Sequence, residues 1–130
     1  MSETIKEMKT DRLNEVLGRL IDFSVKYTIK GHSDLSCPVL KGVATKNLEI
    51  LSTAPCSCKS QKLFWQLGHY TARIAYQILY NKDMLPHTVG AILAYLRESK
   101  KLNQFDTGYL IPITEAITLL EMIQQGIDQI

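Results

Sequence analysis

The chain has 130 residues, 45% of them hydrophobic and 22% charged, with a formal net charge of +2. That length and apolar content suit a single hydrophobic core, and no apolar run reaches the roughly 20 residues of a membrane span, so no membrane partner is expected. A charged start, MSETIKEMKTDR, lacks the apolar centre of a signal peptide, and three cysteines are an odd number for a secreted disulfide framework, which points to the cytoplasm.

Residues 4–29 read as one long amphipathic helix. Ile5, Met8, Leu13, Val16, Leu17, Leu20, Ile21 and Ser24 recur at the helical period, and Lys6, Arg12, Glu15, Arg19 and Asp22 fall mostly on the other side. Thr4 and Glu7 have capping-box spacing, and Gly31 is placed for a left-handed cap. Pro38 opens a second helix over 38–52, followed by a small-residue loop at 53–59, TAPCSCK. Ser60 can cap a helix over 61–80 that carries Leu67, Ile74, Ala75 and Ile78 on one face. Asn81, Lys82 and Asp83 break the pattern, and Pro86 suits the first turn of a helix over 86–99, with Leu85, Val89, Ile92, Leu93 and Leu96 as its buried stripe. Beyond Ser99 the period changes. Residues 102–105 and 109–113 are strand-like, with Asp106, Thr107 and Gly108 as hairpin-turn chemistry between them. Thr114 caps a last helix over 114–127, striped by Ile117, Leu120, Ile123 and Ile127.

Three stretches in this order resemble the winged helix-turn-helix repressors that bind DNA. LPHTVGAILAYLRESKKL is similar to a recognition helix entering a wing, DTGYLIPIT to the end of the wing, and TEAITLLEMI to the closing helix. The resemblance covers roughly residues 38–125. It implies a mainly α fold, a winged helix-turn-helix with a short β-hairpin, in a single domain. Helix 4–29 and residues 114–130 would be extra dimerisation helices around a core at 38–113. It further implies a homodimer on double-stranded DNA. Pro86, His87, Thr88, Gly90, Ala91 and Tyr95 would face the major groove, and Arg97, Lys100, Lys101 and Asn103 would lie near the phosphates. This helix has few of the arginines and asparagines that read guanine and adenine bidentately, so modest sequence specificity is expected. Charge distribution agrees: residues 61–105 hold six basic residues against two acidic ones, whereas residues 106–130 hold four acidic residues and no lysine or arginine.

Cys56 and Cys58 place two thiols in one loop, with Cys37 and His32 upstream as further soft or borderline donors. Four such groups can close a tetrahedral zinc site, and the Cys-x-Cys pair also resembles metal-sensing arsenical repressors. The competing reading makes Cys37 a small buried residue and the other two plain loop thiols. Catalytic signatures are missing: there is no GxSxG elbow, P-loop or HExxH, so no enzyme is expected. The main alternative to a metal- or redox-responsive DNA-binding regulator is an all-helical protein-binding adaptor or assembly subunit. Residues 102–113 separate the two readings, since a hairpin there makes a wing and its absence leaves a helical bundle.

Overall fold

A computed structural model of the chain describes residues 2–32, 37–53 and 62–128. The long helices are α1 (Ser2–Gly31), α3 (Lys62–Tyr80), α4 (Leu85–Leu102) and α5 (Thr107–Asp128), with a short α2 (Leu48–Thr53) between the first two. Two 3-10 turns, Pro38–Gly42 and Lys82–Met84, precede α2 and α4. α1 and α3 run antiparallel, because Gly31 lies against Trp65 while Ser24, earlier in α1, bonds Gly68, later in α3. The short turn after Tyr80 reverses the chain again into α4. α5 returns alongside α4 and closes against α1, giving an up-down-up-down arrangement of four helices.

The expected winged helix is overturned. Among the described residues there is no strand, and the segment assigned to a hairpin is the junction of two helices. Both ends of that junction are capped. Asn103 donates from Nδ2 and from its backbone N–H to the Ser99 carbonyl, satisfying the end of α4. Asp106 opens α5, its carboxylate accepting the Tyr109 N–H at 3.2 Å and its carbonyl accepting the N–H groups of Tyr109 and Leu110. The residues read as turn chemistry are therefore a helix N-cap and first turn. Pro112 sits inside α5, where it removes one rung of the hydrogen-bond ladder.

The helix expected over 38–52 is likewise broken. After the 3-10 turn, Lys46 takes a left-handed φ of 52°, and Asn47 caps α2 by accepting the Ile50 N–H at 3.1 Å. α1 starts at Ser2, which puts Thr4 within its first turn rather than at its cap. No described glycine has a positive φ, so neither Gly31 nor Gly108 plays its expected left-handed part. Ser60 lies outside the described residues.

One apolar cluster joins the elements. Leu20, Phe23 and Tyr27 of α1 meet Leu67, Ile74 and Ile78 of α3, Val89, Leu93 and Leu96 of α4, and Tyr109, Ile113, Leu120 and Ile123 of α5. The two terminal stripes expected to pair across a dimer are thus largely spent on their own core: Leu13, Val16, Leu17, Leu20, Ile117, Leu120 and Ile123 are all buried within the chain. Among the described residues, no helix is long and apolar enough to cross a membrane.

Candidate functional site

The residues expected to read DNA do not share one face. Thr88 is only 8% exposed and its hydroxyl donates back to the Met84 carbonyl at 3.1 Å, so it belongs to the inside of α4. Pro86 and His87 stand exposed in the first turn of α4 and Ala91 exposed in the second, and Gly90 is half-buried. Tyr95 leans onto α3, donating to Gln66 Oε1 at 3.0 Å with its ring edge-on to Tyr70 at 5.5 Å. Arg97 points to α5, its guanidinium 4.0 Å from Glu121. Asn103 is committed to capping α4, half-buried. Lys100 and Lys101 remain at the end of α4, half-buried and exposed respectively.

For the expected zinc ligands, Cys56 and Cys58 lie outside the described residues. His32 and Cys37 are both buried, at the end of α1 and just before the first 3-10 turn. His32 holds the Thr28 carbonyl at 2.6 Å through Nδ1. A carbonyl only accepts, so Nδ1 carries a proton, and among the described residues the buried Nε2 has no hydrogen-bond partner. Trp65 lies edge-on to His32 at 6.4 Å and stacks flat on His69 at 5.3 Å. Burial pulls the His69 pKa below the ordinary histidine value, opposed by the Leu51 carbonyl that accepts its N–H and assisted by Arg73. Among the described residues, no three His, Cys, Asp or Glu side chains gather to hold a metal ion.

What does stand out is a groove of about 610 Å³ between α1 and α5. Its floor is Phe23 and Leu119, and Ile111 and Met122 flank it with much of their apolar surface in water, Ile111 being 74% exposed. Arg19, Asp22 and Lys26 rim it from α1, and Glu115 from α5. Asp22 is engaged by Lys46 at 3.2 Å and Arg19 by Glu15 at 3.4 Å, both on the exposed surface. Lys26 lies over the Tyr27 ring, 5.5 Å from its centroid, with Lys30 at 5.4 Å. Burial, and then the Glu115 carboxylate, raise the Tyr27 phenol above its ordinary pKa, placing Glu115 within electrostatic reach of that ring.

Sequence reasoning missed this groove for a definite reason. Had residues 109–113 been read as helix, Ile111 would have stood off the stripe formed by Tyr109, Ile113, Ala116 and Leu120. A large apolar side chain on the outer phase of a helix is the available signal. No family model matches the chain, and no curated protein or solved structure matches it either.

Proposed function

We propose that the chain is a cytoplasmic, all-helical adaptor or assembly subunit that binds protein, beginning with a second copy of itself, and carries out no catalysis. The observation that supports this reading is the α1–α5 groove, where Ile111 and Met122 leave apolar surface uncovered above Phe23 and Leu119. A two-fold axis over the groove lays α5 of each protomer on α1 of its partner. That geometry covers Ile111 on both sides and sets the Glu115 rim of each protomer against the Lys26 rim of its partner, opposite charges at a polar margin around an apolar centre. An apolar floor with charged side chains at its rim is the make-up of a protein-binding surface.

Placing a charge in the centre tests it. Ile111→Lys with Met122→Lys should yield a folded, helical monomer, since both side chains are already exposed in the single chain. A doubly substituted protein that self-associates like the unsubstituted one would discard the groove. Titration of the unsubstituted protein against random duplex DNA separates this reading from a DNA-binding regulator. Tight binding that weakens steeply with salt, with a log–log slope near about −0.9 per neutralised phosphate, would put DNA in place of protein as the partner.

A further inference from the structure

The turn joining α4 to α5 exposes two large apolar side chains that no described element covers: Leu102 is 77% and Phe105 90% exposed. They stand in the tight reversal between two antiparallel helices, the tip of that pair. Lys100 and Lys101 form the last turn of α4 directly beside them. The same end of the molecule receives the last turn of α1, because α1 and α4 both run toward it, and that turn brings exposed Ile29 and Lys30. Among the described residues the acidic residue of the tip is Asp106, whose carboxylate is turned to the Tyr109 N–H as the cap of α5, while Glu98 lies a turn back along α4 and Glu115 well down α5.

We infer that this tip is a docking surface for an anionic lipid bilayer, with Phe105 and Leu102 entering the headgroup–acyl boundary and Lys100, Lys101 and Lys30 resting among the phosphates. Charge complementarity selects this occupant. Lysine is depleted at the centre of protein interfaces, where its ammonium would lose water, but it is favoured at an anionic headgroup layer, where it stays hydrated while its stem lies along apolar surface. The tip supplies two weak signals together, an apolar wedge and a basic rim, the combination that reversible interfacial attachment requires. No helix enters the bilayer; the bundle stands on its end. This inference is independent of self-association through the groove, since the two surfaces share no residue.

The test is co-sedimentation of the full chain with vesicles of phosphatidylcholine alone, or of phosphatidylcholine with phosphatidylserine, at low and physiological salt. Binding is expected on the serine-containing vesicles and should weaken with salt. Lys100→Ala with Lys101→Ala should lower the partition coefficient by about thirtyfold, at about 1 kcal/mol per lysine near the surface. Phe105→Ser should lower it by about tenfold through lost apolar burial. Lys101 and Phe105 are exposed and Lys100 is half-buried on a lysine stem that alanine shortens without leaving a charge behind, so both changes should leave the helical spectrum intact. As a direct reading of insertion, the added indole of Phe105→Trp should be quenched by lipids brominated on the acyl chain. The inference is overturned if the chain ignores anionic vesicles at low salt, or if it binds them with Phe105→Ser as well as without. The Ile111→Lys, Met122→Lys protein should still bind vesicles, so loss of self-association and loss of lipid binding report separately.

Discussion

The two flanks of α1 are built in opposite ways. Toward α3 it presents Ser24 and Thr28 to Gly68 and Gly31 to Trp65, and the backbones come together: a Cβ on Gly68 would lie 2.7 Å from the Thr28 backbone nitrogen, and one on Gly31 2.5 Å from that of Trp65. The Ser24 hydroxyl then crosses the seam to the Gly68 carbonyl at 2.7 Å. Toward α5 the meeting residues are large, Phe23 against Leu119 and Met122, and a groove stays open above them. Small residues set the distance between two helices, and large ones set what remains exposed when the distance is greater. One flank of α1 is therefore spent on stability, and the other is available for binding.

The largest effect should follow from forcing the tight flank apart. In Gly68→Ala the new methyl meets backbone atoms, which cannot rotate away, so the seam must widen at a cost of about 3 kcal/mol, read as a drop in the denaturant midpoint with an unchanged slope. An alanine tolerated without loss would mean that the seam is looser than its geometry. Ser24→Ala removes one buried cross-seam hydrogen bond and should cost about 1 kcal/mol on the same measurement.

On the open flank the expectation reverses: Ile111→Ser removes no buried contact and should alter stability by less than about 0.5 kcal/mol while weakening self-association. A large stability loss there would show that the groove is already covered within the chain. The smallest effect concerns acid. His69 has a folded pKa lowered by burial, so the unfolded chain takes up its proton first as pH falls below the ordinary histidine value of about 6.5. Its contribution is complete above that value and is lost as pH falls through the lowered folded pKa. His69→Gln should flatten the stability profile in that window, and an unchanged profile would assign the acid sensitivity elsewhere.

Much of this architecture was legible. The apolar periods of α1, α3 and α4 give helices at nearly the observed positions, because a stripe of Leu, Ile and Val at three and four spacing has no comparable reading as strand. The segment after Ser99 was not legible from its short pieces. Asp106 followed by Thr107 and Gly108 serves equally as a hairpin turn or a helix cap, and only the longer stripe running back from Leu120 through Ile113 to Tyr109 decides for the cap. Misreading that stretch hid the groove and the tip alike, since it paired Leu102, Phe105 and Ile111 in a sheet that does not form. Gly31 and Gly68 were opaque for another reason: closeness between residues 34 or more positions apart leaves no local mark in the chain.

The account stands or falls on the open flank of α1, and sedimentation equilibrium over micromolar concentrations tests it most directly. The predicted result is a species of twice the 14.7 kDa chain mass that reverts to the single-chain mass in the Ile111→Lys, Met122→Lys protein. A single-chain mass for the unsubstituted protein across that range would contradict it.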